Sequence, residues 1–188
     1  MYTIVKAPNE VLSRQAKPIQ HIDASIKKLI ADMAKTLASA HDPEGIGLAA
    51  PQIGKSLQLF IIKESKDAPL KVFINPVMKT TKKLSHKPKK VVKKGKKTNK
   101  EVRLEGCLSL GDIWGVVDRY PTVTLSYEDE EGGNHTKEFS GFLATIVQHE
   151  YDHLQGILFP RRVLEQKGTL YKSKTDEKGE IVFEELPL

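Results

Sequence analysis

The sequence predicts an α+β fold in one domain spanning residues 1–188. Three observations carry this reading. An amphipathic helical period lies near the N-terminus, a second helical stretch stands alone in the latter half, and strand-like runs cluster before and after it. No internal repeat interrupts that order. The strand runs are joined by short Gly- or Asp-containing turns, so they should pair as antiparallel hairpins rather than as βαβ units.

Taken in order, residues 24–40 form the first helix. Ile26, Ile30, Met33 and Leu37 recur at spacings of four, three and four, with alanines between them, and Asp23 or Ser25 can cap the start. Residues 41–54, punctuated by Gly and Pro, read as loop. Residues 57–62 and 72–74 read as buried strands, the second stopped by Asn75-Pro76. Residues 79–100 are poor in apolar side chains and should form an exposed loop or weak hairpin. Residues 123–128 and 136–139, around Gly132-Gly133, predict a hairpin. Residues 142–154 predict a helix with few breakers. Residues 170–172 and 181–183, around Asp176-Glu-Lys-Gly179, predict a last hairpin.

A chain of 188 residues is long enough to bury a core around a site, and 39% apolar with 29% charged residues lies within the globular range. No run of eighteen apolar residues exists, which excludes a membrane-spanning helix, and the first residues resemble neither a secretory signal nor a transit peptide. Cys107 is the one cysteine, so an internal disulfide is impossible and a reducing, cytoplasmic setting is expected. The net charge of +6 is a local effect. Eleven lysines and no acidic residue lie between Lys79 and Lys100, and without them the remainder is mildly acidic, about −5.

The chemistry starts at His149-Glu-Tyr-Asp-His153. Histidines four apart on a helix project from one face and can hold one cation, while Glu150, rotated off that face, can reach a water beside it. An open tetrahedral site needs a third protein ligand. His21, His41, His86 and His135 lie in surface-like contexts. Cys107, in Glu105-Gly-Cys-Leu-Ser109, follows an extended segment and a glycine that permits close backbone approach. A thiolate is a competent ligand, so one cysteine with two histidines makes an open catalytic set. In Gly45-Ile-Gly-Leu-Ala-Ala-Pro-Gln52, small residues would let a substrate backbone lie close, and Gln52 offers an amide donor. Gly54-Lys55-Ser56 suggests a phosphate loop, but the first glycine of that motif would fall at Ala49, which excludes it.

Three segments together, Gly45-Ile-Gly-Leu-Ala-Ala-Pro-Gln52, Glu105-Gly-Cys-Leu-Ser109 and Gln148-His-Glu-Tyr-Asp-His-Leu-Gln-Gly156, resemble the peptide deformylase family, in the family's order. The opening Ile4-Val-Lys-Ala-Pro-Asn-Glu-Val-Leu12 is similar to its N-terminal strand and turn. The resemblance covers roughly residues 1–163 outside the lysine-rich stretch. It implies antiparallel sheets wrapped around a central metal-binding helix, with an N-terminal helix. It also implies one divalent metal on Cys107, His149 and His153, with Fe2+ expected and Zn2+, Ni2+ or Co2+ compatible. The implied reaction removes the formyl group from the formyl-methionine of new polypeptides. Glu150 would be its proton carrier, and the Gln52 side chain with the Leu108 N–H its oxyanion donors. By the same resemblance Gly47 pairs with the substrate backbone. Ile46, Glu105, Phe142, Thr145 and Ile146, beside Gly45, surround the methionine side chain. Asp152 and Arg119 support the site from behind, and Trp114 lies at its rim.

The chain departs from that pattern where Gly111 replaces a common proline, where the lysine-rich stretch enlarges the segment between two motifs, and where a short hairpin replaces the basic C-terminal helix of one branch. Two rival readings remain at this level. A conventional zinc endopeptidase would need a third His or Glu ligand. A non-catalytic ribosome- or RNA-binding module would use the lysines 79–100, which could alternatively tether the enzyme to the ribosome, although no aromatic residue there could stack on bases.

Overall fold

The computed structural model describes residues 1–40, 45–65, 67–80 and 103–187. Helix α1, Ala24–Ala38, is capped by the Asp23 carboxylate, which accepts from the N–H groups of Ser25 at 2.9 Å and Ile26 at 3.0 Å. Its buried side, Leu29, Ile30, Met33 and Leu37, faces a sheet. That sheet contains β1 (Gly47–Ala49), β2 (Leu59–Ile62) and β3 (Lys71–Thr80), and short β4 (Glu105–Gly106) and β5 (Ile113–Gly115) belong to a second one. Then come β6 (Thr122–Glu128), β7 (Asn134–Ser140), helix α2 (Gly141–Leu154), helix α3 (Phe159–Glu165), β8 (Leu170–Thr175) and β9 (Ile181–Glu185).

All pairings within the two sheets are antiparallel: five strands in the order β1-β2-β3-β6-β7, and four in the order β4-β5-β8-β9. The five-stranded sheet is covered on both faces, and the alternation of β2 shows how. Leu59 and Ile61 join Val72 and Ile74 under α1, while Phe60 and Ile62 join Phe73, Val123 and Phe139 under α2. Phe60 and Phe73 are register partners with stacked rings 4.5 Å apart. Helix α2 thus has one side on this sheet, through Ala144, Val147 and Leu154, and turns its other side towards β4 and the loop that follows it. Helix α3 packs Phe159 and Val163 on β5 and β8 beside Cys107. Among the described residues no helix is long and apolar enough to cross a membrane.

Several local expectations are corrected. Residues 47–53 are not loop: Gly47, Leu48 and Ala49 pair with Ile62, Ile61 and Phe60, and Ala50–Ile53 forms a buried 3-10 turn. The strand at residue 72 does not stop at Asn75-Pro76. It continues to Thr80 across a bulge between Ile74 and Val77, where Asn75 takes φ 48°. The Asn75 side chain steadies the bulge by accepting from Ile19 N and donating to Ile19 O, both at 2.8 Å. The bulge absorbs a proline that cannot donate to the ladder. Residues 4–12 form no strand. Val5 N–H donates to Gln52 O and Ala7 N–H to Ser109 O, and a 3-10 turn follows at Glu10–Ser13. Gly111 has φ +63°, a conformation closed to proline, so this turn differs from one built on that residue. Of the lysine-rich stretch, Lys79 and Thr80 end β3, and residues 81–100 lie outside the described part.

Candidate metal centre

Helix α2 carries His149 and His153 one turn apart, with ring centroids separated by 5.0 Å and planes at 78°. The loop after β4 brings Cys107 over them, its Sγ 3.3 Å from His153 Nε2. One ligand atom from each of these three residues lies within 4.8 Å of the others, and among the described residues no other group of three or more His, Cys, Asp or Glu forms such a cluster. His21 and His135 are not part of it; His135 instead contacts Asp129 at the β6–β7 turn.

The thiol is 3% exposed. Burial alone would raise its pKa, yet the adjacent His153 and His149 rings hold it well below its ordinary value. A thiolate beside two imidazoles, with Cys107 and His153 buried and His149 nearly so, is a donor set fitted to one borderline-soft divalent cation with a fourth position open. Two buried polar atoms at the same place, Glu150 Oε2 and His153 Nδ1, have no hydrogen-bond partner among the described residues. An acceptor left dry in this way suits a site completed by a cation, water and substrate.

His149 is held from behind. Its Nδ1 lies 3.1 Å from Glu105 Oε2, and Arg119 forks onto both oxygens of that carboxylate at 2.9 and 3.0 Å. Arg119 Nη1 also donates to Asp152 Oδ2 at 2.5 Å, and Asp152 accepts two further bonds from Arg162, at 2.7 and 3.1 Å. Burial would raise the Glu105 carboxyl, but Arg119 and His149 carry it down to about 2, so it is an anion. Asp152 is lowered too, since Arg162 and Arg119 outweigh its burial. The resemblance placed Glu105 around the methionine side chain; Glu105 does line the cavity, and its carboxylate also bonds His149 and Arg119. Arg162 was not foreseen. It sits in a Pro-Arg-Arg run without periodic or motif signal, and only the turn between α2 and α3 brings it to Asp152.

In front of the three candidate ligands lies a cavity of about 270 Å³ between β1 and β4, the outermost strands of their respective sheets. Gly45, Ile46, Gly47, Glu105, Phe142, Thr145 and Ile146 all line it, together with Gln52, Leu108, His149, Glu150 and the unexpected Leu104 and Gly106. Trp114 stands at its edge, its indole over Gly106. The Gln52 amide has one orientation: Oε1 accepts from Ala49 N–H at 2.8 Å, which leaves Nε2 3.5 Å from both Cys107 Sγ and Ser109 Oγ. The Cys107 carbonyl accepts from Leu110 N–H at 2.9 Å, so across the trans peptide the Leu108 N–H points the other way. Burial, the largest influence on Glu150, raises its carboxyl.

A helix-borne acid and two imidazoles, facing a thiolate beside an apolar cavity, form a candidate metal site of the kind a metal-dependent hydrolase uses. The family model described as "Polypeptide deformylase" matches residues 1–168. The peptide deformylase of Chlorobium luteolum is 36% identical over 174 residues, 90% of this chain and 82% of that protein. That of Neisseria meningitidis serogroup C is 37% identical over 175 residues, 93% of each. Among solved structures, a peptide deformylase from Synechococcus elongatus superposes with TM-score 0.71 at 35% identity, covering 88% of this chain and 82% of that one. The peptide deformylase from Thermus thermophilus gives TM-score 0.71 at 34% identity over 89% of both. The chain belongs to the polypeptide deformylase family.

Proposed function

We propose that Cys107, His149 and His153 hold one divalent cation, and that Glu150 moves the protons, as this enzyme removes the formyl group from the N-terminal formyl-methionine of new polypeptides and releases formate. The observation that carries the assignment is the meeting of three ligand atoms within 4.8 Å beside a buried carboxylate oxygen without a partner. A cation bound there would polarise the formyl oxygen and acidify water towards neutrality. Glu150 takes the proton of the attacking water and delivers it to the departing amine, a role that suits a carboxyl raised by burial. Gln52 Nε2 and the Leu108 N–H donate to the oxyanion as it forms. Gly47, on β1 at the outer edge of its sheet among the described residues, pairs its backbone with the substrate, and the apolar cavity receives the methionine side chain beside Ile46, Phe142, Thr145 and Ile146.

Ferrous iron is the metal proposed, with zinc, nickel and cobalt satisfying the same ligands. A thiolate ligand and a single cysteine suit a reducing cytoplasm. One catalytic domain carries the whole site, and the lysines 79–100 serve as a salt-sensitive tether to the ribosome. The endopeptidase alternative lacks its third His or Glu among the described residues.

Metal content tests the ligand set directly. Purified anaerobically, the chain should carry one equivalent of metal, and Cys107→Ser should lose most of it. Retention of a full equivalent by Cys107→Ser would move the third ligand elsewhere.

A further inference from the structure

The cavity wall at Trp114 continues onto a surface that the reaction does not use. Strand β9 is outermost in the four-stranded sheet, and its alternation puts Ile181 and Phe183 on one face, Val182 and Glu184 on the other. The second face is charge-paired, by Lys174 with Glu184 and by Lys172 with Asp112. On the first face Ile181 is 66% and Phe183 41% exposed, and neither belongs to a core cluster. Phe183 meets the Trp114 ring edge-on, with centroids 5.8 Å apart. Trp114 Nε1 donates to Ser173 Oγ at 3.1 Å, and Ser173 is the register partner of Phe183, so the indole is fixed onto the β8–β9 hairpin. The indole also covers Gly106, where any side chain would collide with it. An apolar path therefore runs from Gly106 in the cavity wall over Trp114 to Phe183 and Ile181.

We propose that Trp114, Phe183 and Ile181 form a shelf for the downstream residues of the substrate polypeptide, selecting apolar side chains beyond the formyl-methionine. The inference rests on the reading that the cavity takes that methionine. Trp114 is part of the lining of that cavity, so a polypeptide seated there lies beside the start of this path. Extended chain advances about 3.3 Å per residue, so the step from the Trp114 ring to the Phe183 ring is about two residues. The shelf thus meets roughly the third to fifth residues of the substrate. Its continuity with the substrate cavity favours this occupant over a second copy of the chain, and Glu184 and Glu185 at the end of β9 oppose edge-to-edge pairing of two copies.

The test measures formate release by the metal-loaded enzyme with formyl-Met-Ala, formyl-Met-Ala-Ser-Phe-Leu and formyl-Met-Ala-Ser-Asp-Asp. The Phe-Leu peptide should have a kcat/KM about fivefold above the other two, carried by KM, as one modest apolar contact provides. Replacing Phe183→Ser together with Ile181→Ser should remove that advantage and leave formyl-Met-Ala unchanged, while Phe183→Leu should retain most of it. Calorimetric binding of the product Met-Ala-Ser-Phe-Leu should follow the same pattern without turnover. Equal kcat/KM for the three peptides, or an advantage that survives the double substitution, would overturn the shelf. So would a wild-type dimer in sedimentation that the double substitution dissociates, because the face would then belong to a second copy. No formate from any peptide would overturn the reading of the cavity, and the shelf's occupant with it.

Discussion

Gly47 and Glu150 meet at closer quarters than any other side chain could allow. A Cβ at Gly47 would collide with the Glu150 carboxylate, so the glycine makes room for the base and also exposes strand-edge backbone to the cavity. Gly47→Ala is expected to displace Glu150 and lower kcat at least about tenfold, since small misplacements of a reacting group are costly. Steady-state kinetics beside metal content would check this: kcat falls and the metal stays. An unchanged kcat would mean that the carboxylate works from another position. At this scale much of the site was legible, for a physical reason. Histidines at i and i+4 share a helix face whatever surrounds them, so their convergence follows from spacing alone. The turn of Glu105 towards His149 was not legible, because it depends on Arg119 arriving from a different segment.

Helix α2 is anchored at the element scale by charges from three other segments. Glu105 on β4, Arg119 ahead of β6 and Arg162 on α3 meet Asp152 and His149 on its buried side. Arg119 is central, its side chain 8% exposed between carboxylates that are 10% and 5% exposed. Its removal leaves Glu105 with His149 alone and Asp152 with Arg162 alone, and a broken buried pair costs about 3–5 kcal/mol. Arg119→Leu should therefore lower stability by an amount of that order, read from the shift in urea midpoint at unchanged m-value. A loss below about 1 kcal/mol would place the network in water. The elements themselves divide by length and pattern. Helix α1, helix α2 and both long hairpins were legible because several turns or alternations repeat one signal. Strand β1 was not, because Gly-Leu-Ala has no strand pattern and is extended only by pairing with β2. Strands β4 and β5 and the seven-residue α3 are too short to show a period, and the bulge at Asn75-Pro76 imitates a strand end.

At the scale of the molecule, an α+β body with the site between two sheets carries a mild negative charge apart from one basic stretch. Deleting residues 82–98 should weaken binding to ribosomes in a salt-dependent manner while formyl-Met-Ala turnover persists, as measured by co-sedimentation at two ionic strengths. Unaltered, salt-sensitive binding after the deletion would show that these lysines are not the tether. The architecture as a whole places a thiolate, two imidazoles and a buried carboxylate around one point, a set suited to cleaving a formyl amide. The most direct measurement is formate released from formyl-Met-Ala by anaerobic, iron-loaded enzyme, set beside Glu150→Ala loaded identically. The expected result is steady formate release by the wild type and a loss of about 10²–10⁴-fold in the variant at equal iron content. No formate from iron-loaded wild type, or equal rates in the two proteins, would contradict deformylation at this site by Glu150.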